Sequence, residues 1–222
     1  MSRRTWLVVA AEQRELSGIL RRIGRSRALD WPGAAFAREA AWKGDRWWLV
    51  ANGPGSRLVD RALREKREVD AIISTGFCGA LDPKLGIGDI VVSWGTAVRT
   101  PASFVEGDVV SCDAVCVTAL EKQKLRESTG AAAVDMEFAE VKRIAGNWGV
   151  PVRAIRTVSD TAAENLPLDF NRYRDSEGRF SRSRIALAAL ARPTVIPRLM
   201  RLERNCRLAA ETLGEFFANS EF

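Results

Sequence analysis

The stretch Ala133-Val-Asp-Met-Glu-Phe-Ala139, followed by Arg156-Thr-Val-Ser-Asp160, decides how the rest of this chain is interpreted. Apolar periodicity predicts a helix over 137–147 and a strand over 151–158, so these two acidic motifs mark a helix start and a strand end. In sheets covered by helices, ligands bind beyond the carboxyl ends of the strands. The motifs therefore indicate an α/β sheet with carboxylates along the edge where a ligand would bind.

Outside this stretch, short apolar runs alternate with segments of helical spacing. The apolar runs predict further strands at 6–11, 36–42, 47–51, 71–75 and 89–93. The segments of helical spacing predict helices at 12–22, 56–67, 118–126, 183–191 and 197–217. Strands that alternate with helices predict an α/β sheet covered on both faces, within a single domain over residues 1–222.

Turn and loop signals separate these elements. Lys43-Gly44-Asp45-Arg46 predicts a hairpin between two strands. Gly76-Phe-Cys-Gly-Ala80 predicts a turn after the strand at 71–75, and 163–181 predicts a loop rich in Pro, Asp and Asn. The loops after Ala11, Thr75 and Val158 are expected to converge at one edge of the sheet.

The absence of histidine restricts the chemistry more than any other property of the composition. It removes the commonest general base, the usual zinc ligand and every Ser-His or Cys-His triad. The cysteines Cys78, Cys112, Cys116 and Cys206 show no metal-ligand spacing and are expected to be buried free thiols. We therefore expect no metal site, and acid–base chemistry must fall on Asp, Glu, Lys, Tyr or Cys.

The net charge of +6 suits anionic partners. Aromatic residues are not interleaved with the basic ones, so nucleic-acid binding is not expected. The arginines of the last helix make it compatible with an acidic membrane surface, although a solvated arginine face is the simpler interpretation. The apolar run at 6–11 is shorter than the roughly 7–15 residues of a secretory core, so it predicts a first strand in a cytoplasmic protein.

Four blocks of sequence, in this order, resemble the family of purine and uridine phosphorylases and methylthioadenosine/S-adenosylhomocysteine nucleosidases. The blocks, which span about two-thirds of the chain, are Val8–Glu15, Ser74–Pro83 with Gly88–Val92, Val134–Glu137 and Arg156–Asp160. The tail, from Leu166-Pro167 through Arg192-Pro193 into the last helix, is most similar to the hopanoid-associated phosphorylase branch.

The resemblance implies a three-layer α/β/α domain with a central twisted mixed sheet. It also implies cleavage of the ribosyl N-glycosidic bond of an adenine-type nucleoside, including 5′-substituted ones such as methylthioadenosine, S-adenosylhomocysteine or a hopanoid precursor. The acceptor of the ribosyl group is either phosphate or water. If it is phosphate, phosphate is a co-substrate. No metal or organic cofactor is implied, and the expected assembly is a homodimer or a larger homo-oligomer.

The resemblance also assigns roles to individual residues. Asp160 matches the acid that protonates N7 of the departing purine, and Glu137 matches the acceptor of hydrogen bonds from ribose hydroxyls. Met136 would pack against the sugar, and Glu15 matches the glutamate that activates water, with Glu12 as a competing candidate. Simpler structural interpretations remain open, namely a helix N-cap for Asp160 and a first-turn glutamate for Glu137.

Four further residues complete the set of candidate substrate contacts. Gly76 and Gly79 would let the backbone approach a ligand closely. Ser159 precedes the predicted acid, and Phe77 occupies a position where a small hydroxyl residue is common in the family. Phe77 would favour an apolar substituent on the sugar.

The chain departs from the family at the positions that bind phosphate. The expected arginines are absent, and Arg14 and Arg57 are not clean matches. Phosphate requires charged or forked donors, so hydrolysis by water is a serious rival to phosphorolysis. The segment 94–111 carries no assignable motif, so the loop that closes over the substrate is unidentified. A catalytically weakened nucleoside- or adenine-binding protein of the same fold is the alternative to an enzyme.

Overall fold

The computed structural model describes residues 3–93 and 98–222. Its strands are β1 (Thr5–Ala10), β2 (Arg27–Ala28), β3 (Phe36–Trp42), β4 (Asp45–Ala51), β5 (Ala71–Ala80), β6 (Ile90–Ser93), β7 (Val105–Glu106), β8 (Val109–Ser111), β9 (Ala133–Asp135) and β10 (Val152–Asp160). Its α-helices are α1 (Ser17–Ile23), α2 (Ser56–Ala62), α3 (Ala119–Thr129), α4 (Phe138–Trp148), α5 (Arg182–Ala191) and α6 (Ile196–Asn219). Short 3₁₀ turns lie at Gln13–Leu16, Phe170–Tyr173 and Pro193–Val195.

The strands form one mixed sheet in the order β2-β3-β4-β1-β5-β10-β6-β7. The central strands β4, β1, β5 and β10 are parallel. Strand β3 runs antiparallel to β2 and β4, and β6 runs antiparallel to β10 but parallel to β7. Strand β9 pairs with the far end of β5, and β8 pairs with β9. Since the four central strands are parallel, their carboxyl ends reach the same edge of the sheet.

Helices cover both faces of this sheet, as predicted. Alternate residues of β1 point to opposite faces, so Trp6 and Val8 pack with α1 and α6 while Leu7 and Val9 pack with α2 and α4. The predicted three-layer α/β/α architecture with a central mixed sheet is therefore confirmed.

The contact between α1 and α6 requires two glycines. A Cβ atom added to Gly18 would lie 1.8 Å from the carbonyl oxygen of Ala210, and one added to Gly214 would lie 2.4 Å from that of Gly18. Real Cβ atoms do not approach backbone so closely, so the two helices meet backbone to backbone. This contact holds the C-terminal half of α6 against the sheet layer.

Several predicted boundaries are wrong. The segment Gly76–Ala80 continues β5 rather than forming a turn, because it pairs with β10 on one side and β9 on the other. The predicted helix 12–22 begins as a 3₁₀ turn. The predicted helix 56–67 ends at Ala62, since the charged residues that follow offer no apolar face.

The unassigned segment 94–111 is described from residue 98 onward and contributes β7 and β8; residues 94–97 lie outside the described residues. Within the described residues, we find no helix with the length and apolar character needed to cross a bilayer.

Candidate functional site

A cavity of about 660 Å³ lies beyond the carboxyl ends of β1, β5 and β10. All but one of the predicted site residues line it: Glu15, Phe77, Gly79, Met136, Glu137, Ser159 and Asp160. The exception is Gly76, which packs behind Glu15. The opposite wall comes from the loop 163–181 and from α5 and the first half of α6. The sheet edge thus meets a helical cap, defined here as residues 163–206, around a single cavity.

Asp160 is the last residue of β10 and is buried. Its Oδ2 atom accepts a hydrogen bond of 2.5 Å from Nζ of Lys122, and its Oδ1 atom accepts one of 2.8 Å from the Ser159 hydroxyl. Its side chain therefore belongs to an ion pair at the cavity wall, which excludes the helix N-cap interpretation.

Lys122, on α3, is completely buried and was not among the predicted site residues. Besides Asp160, its ammonium donates to the backbone carbonyls of Thr161 at 2.7 Å and Glu164 at 3.3 Å. Three oxygen acceptors satisfy the three donors of an ammonium group. The only sequence signal is that Lys122 falls one helical turn before the apolar Leu125, which places both on the inward face of α3.

Glu137 lies at the start of α4, where its Oε1 atom accepts a hydrogen bond of 2.8 Å from the amide of Gly55. Burial, with the nearby charge of Asp135, raises the pKa of Glu137 to about 8. The positive charge of Arg156 opposes this rise without cancelling it. Glu137 is therefore a buried carboxyl that faces the cavity rather than a solvated first-turn residue.

Asp135 and Arg156 form a second buried ion pair behind Glu137. Nη2 and Nε of Arg156 lie 2.5 Å and 2.9 Å from Oδ2 of Asp135, which also accepts the amide hydrogen of Phe138 at the start of α4. Nη2 also donates to the Ser74 hydroxyl, whereas Nη1 is buried and has no hydrogen-bond partner among the described residues. Asp135 thus anchors α4 and orients Arg156. An arginine inside an otherwise apolar strand is a sequence signal for such a buried acidic partner.

Glu15 sits in the 3₁₀ turn after β1 and is buried. Its carboxylate accepts hydrogen bonds from the amides of Phe77 at 3.0 Å and Glu12 at 2.9 Å. Burial raises the pKa of Glu15, although these two amides oppose the rise. Gly76 has a φ of +136°, and a Cβ there would lie 2.9 Å from the Glu15 carboxylate, so glycine at 76 makes room for Glu15.

The competing candidate Glu12 also lines the cavity, but its carboxylate is paired with Arg14 at 2.5 Å. Arg14 approaches Glu203 of the cap at 3.6 Å and lies 5.9 Å from the centre of the Phe77 ring. The geometry therefore favours Glu15 over Glu12 as the carboxylate available to a ligand. Phe77 lies between the sheet edge and the cap.

The lining is rich in carboxylates. Six acidic residues contribute to it, namely Glu12, Glu15, Asp135, Glu137, Asp160 and Glu203, against two arginines, Arg14 and Arg182. Arg57, the other residue considered for phosphate, belongs to a separate surface depression beside α2. The described lining thus resembles a site for a neutral or cationic ligand more than one for phosphate.

The cysteines do not supply a nucleophile. All four are free; Cys78 and Cys206 are buried, as predicted, while Cys112 and Cys116 are only half-buried. Burial raises the pKa of Cys116 to about 11 and that of Cys206 to about 12, and it raises the pKa of Cys78 as well. These thiols remain protonated near neutral pH. No group of three or more potential metal ligands occurs in residues 3–93 and 98–222.

The cap side of the cavity is largely apolar. Its contributions come from Leu166, Phe170, Phe180, Ile185, Ala186, Ala189, Leu199 and Leu202. The cavity therefore has an acidic wall at the sheet edge and an apolar wall at the cap.

A sequence model of the Phosphorylase superfamily matches residues 35–104 and 95–192. The chain belongs to the phosphorylase superfamily. This confirms the predicted family and, at the level of the family, the expectation of an enzyme of the nucleoside phosphorylase or nucleosidase type. The proposed hopanoid-associated branch stays a prediction.

Curated relatives of this superfamily member include the 5′-methylthioadenosine/S-adenosylhomocysteine nucleosidase of Shewanella halifaxensis. It is 28% identical over 163 residues, which cover 56% of this chain and 71% of the relative. The enzyme of the same name from Shewanella oneidensis is 28% identical over 155 residues, which cover 52% of this chain and 66% of the relative. The matches thus span about two-thirds of these proteins.

Solved structures share the fold over almost the whole chain. A Helicobacter pylori 5′-methylthioadenosine/S-adenosylhomocysteine nucleosidase variant with 5′-methylthioadenosine in its active site superposes with a TM-score of 0.71 at 17% identity, covering 98% of this chain and 97% of the other. The futalosine hydrolase of Helicobacter pylori gives a TM-score of 0.69 at 18% identity, with 97% and 96% covered. These structures confirm the fold of this phosphorylase superfamily member.

Proposed function

We propose that this protein hydrolyses the N-glycosidic bond of an adenine nucleoside that carries an apolar 5′ substituent. The observation that carries the proposal is the meeting of Asp160, Glu137 and Glu15, distant in sequence, on one wall of a single cavity. Its volume falls within the ~300–1,000 Å³ of small-molecule sites. The curated relatives are 5′-methylthioadenosine/S-adenosylhomocysteine nucleosidases, which agrees with cleavage of this bond.

In this proposal Asp160 and Lys122 act together on the departing base. In the proposed step a proton passes from Nζ of Lys122 through the carboxylate of Asp160 to N7 of the purine. A protonated base is a better leaving group, so the glycosidic bond breaks with less charge on the base. Lys122 touches Asp160 and not the base, so it is a positioning residue.

Glu137 and Glu15 serve the sugar and the water. Glu137 faces the cavity between Gly55 and Met136, where its carboxyl group can hydrogen-bond ribose hydroxyls. Burial raises the pKa of Glu15, which makes its carboxylate a stronger base towards water. Water adds as hydroxide to the sugar carbon, Glu15 takes the released proton, and the base leaves with the proton from Asp160. One proton then returns from Glu15 to the Asp160–Lys122 pair through solvent.

Water is favoured over phosphate as the acceptor because the acidic lining repels a phosphate anion. Arg14 is the arginine closest in sequence to Glu15, and it is already paired with Glu12. Nη1 of Arg156 is buried without a partner among the described residues, and Arg156 does not line the cavity.

The apolar cap supports an apolar 5′ substituent. The resemblance to the family names three such nucleosides, methylthioadenosine, S-adenosylhomocysteine and a hopanoid precursor. Of these, S-adenosylhomocysteine has a charged amino-acid end, which the apolar wall favours least. We therefore place methylthioadenosine and longer alkyl analogues first.

The test incubates the protein with adenosine, 5′-methylthioadenosine and S-adenosylhomocysteine, with and without phosphate. We expect adenine and a free sugar at a rate independent of phosphate, with methylthioadenosine preferred over adenosine. A sugar-1-phosphate would establish phosphorolysis instead and contradict the proposed acceptor.

A second function, adenine or nucleoside binding without turnover, is favoured by one observation. Lys122 engages Oδ2 of Asp160 and Ser159 engages Oδ1, so both carboxylate oxygens have protein partners that must rearrange before Asp160 can serve the base. Calorimetric binding of adenine, combined with no release of base from any of the three nucleosides, would select this function over the enzyme.

A further inference from the structure

The corner where α5 turns into α6 has an unusual composition. From Gly178 to Leu202 the sequence contains six arginines and no aspartate or glutamate. The same segment contains Leu187, Leu190 and Met200, which are 68%, 74% and 58% exposed. A single exposed leucine is ordinary, but Leu187 and Leu190 lie one helical turn apart on α5, and adjoining exposed apolar side chains mark an interaction surface.

The two sides of α5 face different surroundings. Ile185 and Ala189 contribute to the cavity wall, whereas Leu187 and Leu190 face away and are exposed. No residue of α5 is fully buried. The helix therefore separates an apolar cavity wall from an apolar outer surface and is one helix thick between them.

Exposed arginines lie around this outer surface. Arg184, Arg192 and Arg204 are all exposed, and the 3₁₀ turn Pro193–Val195 joins the two helices between them. Arginines elsewhere on the molecule have acidic partners, as Arg21 and Arg22 have Glu211. Between Gly178 and Leu202 there is no acidic residue, and Arg201 pairs with Glu164 outside this segment. The corner thus combines a positive charge with protruding leucines.

We propose that this corner, residues 182–202, docks on the surface of a bilayer that contains anionic lipids. Leucine and methionine side chains enter the boundary between headgroups and acyl chains, while arginines remain at the level of the lipid phosphates. Each arginine near such a surface contributes about 1 kcal/mol of attraction, which is about fivefold in partitioning. A partner bound by charge alone would not explain the exposed leucines. A partner bound by apolar contacts alone would not explain the lack of acidic residues.

The docking does not depend on the proposed hydrolysis. It does place the apolar wall of the cavity within one helix of the bilayer, which suits a nucleoside whose 5′ group is soluble in lipid. The docked surface and the acidic wall lie on opposite sides of the cavity, so docking leaves the carboxylates of the sheet edge away from the anionic membrane.

The experiment measures co-sedimentation of the full chain with vesicles of phosphatidylcholine, with and without phosphatidylglycerol. We expect sedimentation with the anionic vesicles to exceed that with pure phosphatidylcholine by about tenfold and to fall as salt increases. Equal binding to both vesicles, or binding to neither, would overturn the proposal.

Two variants locate the docking surface. Leu187→Ser/Leu190→Ser and Arg192→Glu/Arg204→Glu are each expected to lower partitioning about tenfold or more. All four side chains are exposed, so the fold should be retained, and circular dichroism checks this. Matched controls are Leu120→Ser, which is 58% exposed on α3, and Arg25→Glu beyond α1; both should sediment like the wild type.

A second copy of the chain is the competing occupant of this surface. Light scattering of the wild type and of Leu187→Ser/Leu190→Ser, in the absence of lipid, separates the two cases. An unchanged mass together with lost vesicle binding supports the membrane. A halved mass in the variant would assign the surface to a dimer contact and overturn docking on lipid.

Discussion

At the sheet edge of the cavity Asp160, Glu137 and Glu15 are buried, and each accepts hydrogen bonds from neighbouring residues, whereas no residue of α5 in the cap is fully buried. The sheet side is held by strand pairing and two buried ion pairs. The cap packs through its apolar side, and its arginines donate hydrogen bonds to backbone carbonyls within the cap. We infer that the sheet edge sets the chemistry, which requires fixed positions, and that the cap sets which 5′ group is accepted.

The strongest test of this division removes the acid from the sheet edge. Asp160→Asn should lower the rate of adenine release from methylthioadenosine by about 10²–10⁴-fold, because the amide has no proton to give. The control is Glu203→Gln, a carboxylate of the cap that lines the same cavity, which should change the rate only slightly. Equal losses in both variants would remove the distinction between the two walls.

The buried ion pair should also dominate stability. Lys122→Met leaves Asp160 without its partner and should lower the free energy of unfolding by about 3–5 kcal/mol, measured with urea. The control on the same helix is Arg126→Met, which breaks a partly exposed pair with Asp82 and should cost no more than about 1 kcal/mol. Similar losses in the free energy of unfolding from both substitutions would show that burial does not make the Lys122–Asp160 pair more important for stability.

Lys122→Met also separates a positioning role from a purely structural one. If Lys122 shares a proton with Asp160, the variant should show an altered pH profile of kcat/KM, and Lys122→Arg should restore part of the activity. A stable variant with the wild-type pH profile would confine Lys122 to a structural role.

Glu137 links the chemistry of the sheet edge to stability at different pH. Its pKa is raised from 4.5 to about 8, so between these values the folded state binds more protons than the unfolded chain. The stability from this group is complete below about pH 4.5 and is lost as the pH rises through about 8. Glu137→Gln cannot ionise and should therefore be more stable than the wild type by roughly 4 kcal/mol at pH 8, with little difference at pH 4.

Thermal unfolding of Glu137→Gln at the two pH values tests this, and its KM tests the role in sugar binding. A variant equally destabilised at both pH values would mean that Glu137 is a charged carboxylate in the folded protein.

The smallest expected effect belongs to the cap. Leu202→Asp should reduce the preference for methylthioadenosine over adenosine by about tenfold, with little change in kcat for adenosine, because only the apolar wall is altered. The control Leu208→Asp lies on the exposed side of α6 and should leave the preference unchanged. A large loss of kcat for both nucleosides would mean that the cap takes part in the chemistry.

Local signals predicted much of this architecture. Lys43 and Gly44 were expected to form a hairpin turn, and both have the positive φ values of 52° and 83° that tight hairpins require. Apolar runs predicted the central strands because parallel strands are buried on both faces. The glycines at 76 and 79 suggested a turn, but pairing on both sides kept that segment in β5. Strands β7 to β9 have two or three residues each, too few for any periodicity.

The site was predictable only where a residue belongs to a recognisable motif. Glu15, Glu137 and Asp160 were found in this way, and the cavity brings them together. Lys122 was missed because its importance comes from Asp160, which is distant in sequence and meets Lys122 only in the folded chain. The cap was predicted as helices, but which of their sides would face a ligand depends on how they fold over the sheet edge.

The glycine contact between α1 and α6 limits how α6 can move. With Gly18 against Ala210 and Gly214 against the backbone of Gly18, α6 cannot slide or roll at that point without a backbone clash. Any motion of α6 that widens the cavity must therefore bend or unwind the helix before Ala210 rather than move the whole helix. The C-terminal half of α6 is held in place, and its N-terminal half is the part that we expect to move.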